Sequence, residues 1–301
     1  MSISRQNLTI VIVTFKSEGI IHQCIKSIDD EIEIIVVENS NDKEFKKNLE
    51  KNYKNINCVL SSDNLGMGKG NNLGINLAKT DFVLVLNPDV ILEKSTINEL
   101  FIASEKISNF TILAPISSNI NYPNYKMEIN QKTFETREHP FEVKSVDGFA
   151  MLLNKKKIDT VIENKNFDKG RDYFDENFFM YLENDDLCKR IKDYNEKIFI
   201  VPTSKVDHLG AKAVDSKYKN EIEFSRNWHW IWSKFYFNKK HFGYFKAFTN
   251  GFPKFFFSII KCLFYLLINN KKKKNKYLSR ASGFFNAARG KSSWHRPNTN
   301  F

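Results

Sequence analysis

Phe82-Val83-Leu84-Val85-Leu86-Asn87-Pro88-Asp89-Val90 decides the fold of this 301-residue chain. Its first five residues are an unbroken apolar run of strand length, the pattern of a strand buried on both faces within a parallel sheet. Asn87-Pro88-Asp89 then stops the run. Open α/β sheets bind ligands just outside the C-terminal ends of their strands, so a carboxylate at position 89 stands where ligands are met. Asp89 is a hard oxygen donor, suited to holding a divalent cation against a phosphate. The same three residues also form a turn leading into a helix predicted to begin near Ser95.

The flanking segments repeat the theme. β-Branched or apolar strands are predicted at 8–14, 32–37 and 56–60, with helices near 20–28, 44–51 and 69–78. This β-α-β-α order implies a mainly parallel sheet with right-handed crossovers. Residues 117–143 are polar and irregular, and a connection of that length is often functional. Strand character resumes at 146–153 and 198–202, with a helix between them at 186–193. Beyond about residue 215 aromatic and basic residues dominate, which predicts a catalytic domain over 1–214 and a helical region over 215–301.

Composition narrows the function. Hydrophobic residues make up 42% and charged residues 27%, which excludes a disordered chain. The formal charge is +11, and the excess gathers in the tail, notably at Lys271-Lys272-Lys273-Lys274. That asymmetry calls for an anionic partner, either nucleic acid or anionic lipid. The four cysteines, Cys24, Cys58, Cys188 and Cys262, form no CxxC pair, which argues against a zinc site or a disulfide framework. The polar start of the chain carries no signal-peptide pattern, so a cytoplasmic location is expected.

Three predicted strand ends share one edge of the sheet: Thr14-Phe15, Glu38-Asn39-Ser40 and Asn87-Pro88-Asp89. Glu38 can accept hydrogen bonds from a base or a ribose, or cap a helix. The glycine-dense stretch from Asn64 through Gly66, Gly68, Lys69, Gly70 and Asn71 to Gly74 has neither GxGxxG nor P-loop spacing. Its glycines let the backbone approach a ligand, or simply open a helix. The acidic run Glu183-Asn184-Asp185-Asp186 either complements a helix dipole or supplies a general base. His208 is either structural or the nitrogen partner of Asp89 in a mixed N/O metal site.

Taken in order, these segments resemble a family 2 glycosyltransferase of the rhamnosyltransferase-like subgroup. The resemblance rests on residues 11–15, 36–40, 64–66, 70–74 and 86–89, then Asp147-Gly148, residues 174–181, 183–190 and His208, and it spans about 8–210. It implies a GT-A fold, a nucleotide-sugar donor (dTDP- or UDP-linked) and Mg²⁺ or Mn²⁺. Asp89 and His208 would hold the metal and Glu38 would meet the nucleobase. Thr14, Phe15, Asn64, Gly66, Lys69, Asn71, Asn87, Asp147 and Gly148 would line the donor site. The acidic motif would supply the base for one in-line, inverting displacement in surface polysaccharide or glycolipid synthesis. Asn87 replaces the first acid of a full DxD motif, so one protein carboxylate is expected on the metal. Asn184 replaces the usual base, which moves that role to Asp185 ahead of Glu183, with Asp186 beside them. Nucleotidyl transfer and a catalytically lapsed binding subunit are the competing functions.

The tail adds a membrane expectation. The apolar stretch 255–268 is shorter than the about 20 residues a spanning helix needs, and Lys261 interrupts it. An interfacial helix with lysines at anionic headgroups fits, placing the protein peripherally on the inner membrane face. Trp228, Trp232 and Phe235 recur at helical spacing, which predicts core packing and argues against a nucleic-acid surface. An oligomer is compatible with the tail.

Overall fold

A computed structural model describes residues 3–119, 122–127, 138–163, 172–210, 214 and 218–297. The chain divides into two compact units, Met1–Asp175 with Asn184–Asp215, and Glu176–Glu183 with Ser216–Phe301.

In the first unit the chain runs β1 (Leu8–Thr14), α1 (Glu18–Lys26), β2 (Glu33–Glu38), α2 (Lys43–Asn52), β3 (Ile56–Leu60), α3 (Gly66–Leu77) and β4 (Phe82–Leu86). It continues through β5 (Val90–Leu92), α4 (Thr96–Lys106), β6 (Phe110–Ser117), β7 (Tyr125–Lys126), β8 (Phe141–Glu142), β9 (Ser145–Val146) and β10 (Ala150–Asn154). Last come α5 (Lys155–Glu163), α6 (Glu183–Asp193) and β11 (Lys197–His208), with Glu183 itself grouping with the second unit. The principal sheet has the order β3-β2-β1-β4-β10-β6-β11-β5, with β8 also on β11, and β7 and β9 form a separate pair.

Strands β1 and β4 are buried along their whole length. Alternate residues serve opposite faces. Ile10, Ile12, Ile34, Val36 and Leu84 pack with Ile21, Phe45, Leu49 and Leu100 of α1, α2 and α4. Val11, Val13, Ile35 and Val85 pack with Ile75 of α3 and Leu187 and Ile191 of α6. Helices therefore cover both faces of the sheet. Asp42 caps α2, its Oδ1 accepting from the backbone N–H of Glu44 at 3.1 Å and Phe45 at 3.0 Å.

The sheet is mixed, a correction to the mainly parallel arrangement read from the sequence. β10 runs antiparallel to both β4 and β6 at the centre, and β5 is antiparallel to β11. Strand direction depends on where the long connection before β10 re-enters the sheet, and no local periodicity encodes that. The strand predicted at 198–202 is also longer, reaching His208, because its outer half pairs with β5.

The second unit consists mainly of α7 (Lys219–Phe242), α8 (Tyr244–Leu267) and α9 (Lys271–Ala288). Trp228, Trp232 and Phe235 of α7 are buried against Ala247, Phe284 and Ala287, the core role their spacing predicts. Among the described residues no helix is long and apolar enough to cross a membrane.

Candidate active site

The site is assembled at one sheet edge by strand register. Thr14 lies opposite Glu38, and Ile12 opposite Leu86, which brings the ends of β1, β2 and β4 level. Beyond β4, His208 pairs with Val90 across β11 and β5, and the Leu209 N–H donates to the Asp89 carbonyl at 3.0 Å. These contacts set His208 Nε2 3.5 Å from Asp89 Oδ1. The imidazole also stacks on Phe149, with centroids 4.2 Å apart, which fixes its plane. Asp89 is buried, and Asn87 Oδ1 is a buried acceptor without a hydrogen-bond partner.

An oxygen and imidazole donor set of this kind fits Mg²⁺ or Mn²⁺ that shares phosphate oxygens with a substrate. Among the described residues, no group of three or more acidic, histidine or cysteine side chains gathers as a cation site. Asp89 and His208 are the pair that would hold such an ion.

A second cluster stands close by. Lys126 Nζ donates to both oxygens of Asp185, at 2.8 and 2.7 Å, and lies 3.8 Å from Asp147. Ser145 Oγ donates to Asp185 at 2.9 Å. The β7–β9 pairing produces this geometry by setting Lys126 opposite Ser145. Asn124 secures the segment, its Nδ2 donating to the carbonyls of Pro115 and Ala150 at 2.7 and 3.1 Å. Burial raises the Asp147 carboxyl above the ordinary carboxylate range; Lys126 opposes the shift, Asp185 adds to it and His208 opposes it. Lys126 escaped sequence reasoning because it sits in a polar connection with no motif around it.

The acidic motif divides by environment. Asp186 is fully buried and paired with Arg190 Nε at 2.7 Å, so it locks α6 internally and does not face a ligand. Asn184 Nδ2 donates to the Val146 carbonyl at 2.7 Å, and its side chain lies against Gly148. Asp185 is held by Lys126 and Ser145. Glu183 is buried at the start of α6.

The remaining predicted positions line the β1, β2 and α3 ends. Both Glu38 oxygens accept from the Ser40 N–H at 2.9 Å, and one accepts from the Asp42 N–H at 2.9 Å, so the carboxylate shapes its own loop. Phe15 is half-buried just past the end of β1. Asn39, outside the predicted set, donates through Nδ2 to the Gly66 carbonyl at 3.1 Å. Gly66 has φ +78°, and its N–H donates to Asn64 Oδ1 at 3.1 Å. Asn71 is buried with its Oδ1 unpartnered, while Lys69 is exposed on α3. Gly70 and Gly74 act differently from a ligand cradle: a Cβ would lie 2.9 Å from Val13 Cγ1 or 2.4 Å from Val11 Cγ1. Their absent side chains let α3 close on β1.

The model of the family described as "Glycosyl transferase family 2" matches residues 9–162. The chain is 28% identical over 241 residues to the low-salt glycan biosynthesis hexosyltransferase Agl10 of Haloferax volcanii, covering 72% of this chain and 73% of that protein. It is 23% identical over 248 residues to the rhamnosyltransferase WbbL of Escherichia coli, covering 73% and 88%. Among solved structures, GalNAc-T7 crystallised with UDP, GalNAc and Mn²⁺ shares the fold at a TM-score of 0.52 and 14% identity, over 74% of this chain and 51% of that one.

Proposed function

The chain belongs to glycosyl transferase family 2, and we propose that it moves a sugar, rhamnosyl or another hexosyl group, from a nucleotide-diphosphate donor to a hydroxyl of a growing glycan or lipid-linked acceptor, inverting the anomeric carbon. The observation that carries this reading is the convergence of Asp89, His208, Asp147, Lys126 and Asp185 at the strand ends. The names of the two relatives support the sugar class.

In this reading the nucleoside lies along Thr14, Phe15 and Glu38, and its diphosphate extends toward Asn87 and Asp89. Asp89 and His208 would hold a divalent cation, which would supply charge neutralisation for the leaving diphosphate. The acceptor oxygen bonds to the anomeric carbon as the bond to the diphosphate oxygen breaks, and that oxygen keeps the electron pair. The acceptor proton passes to a carboxylate. We assign that carboxylate to Asp147. The Asp185 oxygens are already engaged by Lys126 and Ser145, whereas the Asp147 carboxyl is raised by burial toward the working range of a proton acceptor. Asp185 then positions Lys126. Glu183 is the competing base. The second unit is taken to rest on the cytoplasmic face of an anionic membrane, where lipid-linked acceptors lie.

Release of nucleoside diphosphate from candidate nucleotide sugars, with and without Mn²⁺, tests the reading. Asp89→Ala should remove metal-dependent donor binding. Wild-type protein with donor at a hundred times its Kd should gain about 2.7 kcal/mol of stability. Unchanged donor binding by Asp89→Ala would overturn the assignment, and pyrophosphate release would indicate nucleotidyl transfer instead. Donor binding with no turnover on any acceptor would favour a lapsed enzyme, a reading that Asn184 makes worth testing.

A further inference from the structure

We propose that the second unit carries a specific site for the phosphate headgroup of an anionic membrane lipid, formed where α7, α8 and α9 surround a cavity of about 390 Å³. This rests on the membrane-surface reading and deepens it. Lys234 of α7, Lys254 and Lys261 of α8 and Arg280 of α9 all line the cavity, and no acid does. Four cations from three elements around one hollow repel one another, and their field is relieved by an anion.

Aromatic and amide groups hold these side chains in place. Lys234 Nζ sits 4.0 Å above the Trp230 ring, and Lys261 Nζ and Arg280 Cζ lie 5.3 and 5.6 Å from the Tyr277 ring centroid. Arg280 Nε donates to Asn227 Oδ1 at 2.7 Å, a neutral partner that orients the guanidinium. Glu223, one of only two acids after Asp215 in the sequence, instead faces Lys272 and Lys276, at 3.7 and 3.4 Å.

A lipid satisfies the neighbouring surface as a free phosphate does not. The same helix that supplies Lys254 and Lys261 exposes Phe257 and Phe264, a stripe one turn along from each lysine that is 60% and 54% exposed, and Phe257 itself lines the cavity. The lysines border this stripe, and α8 contains no acid. One amphiphile would bring acyl chains to the stripe and a phosphate to the cavity.

Co-sedimentation of the full chain with phosphatidylcholine vesicles, plain or containing about a third phosphatidylglycerol, tests this. Wild type should bind the anionic vesicles. Lys254→Gln/Lys261→Gln should weaken that binding about tenfold or more, while Lys271→Gln/Lys274→Gln, which removes equal charge outside the cavity, should weaken it less than about threefold. An unchanged melting temperature establishes that each variant is folded; if the cavity pair fails that check, Arg280→Gln replaces it with the same expected loss. Equal losses in both pairs would overturn the site but leave membrane docking intact. Absence of wild-type binding to anionic vesicles would overturn both. Saturable binding of inorganic phosphate, or of a single-stranded oligonucleotide, without vesicle binding would also overturn the proposal.

Discussion

Lys126 joins two carboxylates that the chain keeps far apart, salt-bridging Asp185 at 2.7 Å and standing 3.8 Å from Asp147. Its ammonium stabilises the ionised form of Asp147, whereas Asp185 opposes it. Activity that needs ionised Asp147 rises with pH through its folded pKa. Removing the cation in Lys126→Met moves that acid limb to higher pH. Removing the like charge in Asp185→Asn moves it to lower pH. Asp147→Asn should reduce kcat by about 10²- to 10⁴-fold with little change in donor KM, the usual span for loss of a general base. Steady-state pH profiles of the three variants check this. A normal kcat in Asp147→Asn together with collapse in Asp185→Asn or Glu183→Gln would reassign the base.

Helix docking in both units relies on glycines at contact points. In α3, a Cβ at Gly74 would come within 2.4 Å of Val11 Cγ1, and valine is stiff at χ1, so it yields poorly. Gly74→Ala is expected to lose about 1–3 kcal/mol in chemical denaturation, with part recovered in the double variant carrying Val11→Ala. In the second unit, a Cβ at Gly283 would stand 2.4 Å from the Trp228 carbonyl oxygen, a backbone atom of α7 that cannot rotate away. Gly283→Ala should therefore force α9 off α7 and alter the near-ultraviolet dichroism of the buried tryptophans. Gly19 in α1 has nothing within 4 Å of its would-be Cβ, so Gly19→Ala should leave stability unchanged or raise it by up to about 1 kcal/mol.

Across the whole chain, charge is strongly polarised. Eighteen basic and two acidic residues follow Asp215, leaving +16 there and −5 over the preceding residues. Attraction of such a segment to an anionic surface weakens with salt, since the screening length is about 10 Å at 0.1 M. Acid should destabilise the protein through His229. Its ring is buried against Phe179 with centroids 4.5 Å apart, and Nε2 donates to the His295 carbonyl at 2.8 Å. Burial, with Arg296 and His295 adding to it, lowers its pKa from 6.5 to about 3, although the hydrogen bond opposes the shift. The unfolded chain thus binds a proton below about pH 6.5 that the folded chain refuses until about pH 3. Stability is full above the upper value and lost as pH falls, by about 2 kcal/mol at pH 5. His229→Gln should flatten the pH dependence of the melting temperature between about pH 5 and 7.5; an unchanged slope would remove His229 as its source.

Much of the fold was legible without coordinates. Unbroken apolar runs such as 82–86 and the helical spacing of Trp228, Trp232 and Phe235 report burial through short-range periodicity. Asn-Pro-Asp marked the end of β4 for the same reason, because a turn is a local fact. Tertiary closure alone decided the rest: the antiparallel entry of β10, the salt bridge from Lys126 to Asp185, the burial of Asp186 against Arg190, the packing use of Gly74 and the four-cation cavity. Each joins residues whose separation in the chain carries no periodic signal, so their meeting is set by how whole elements close on one another.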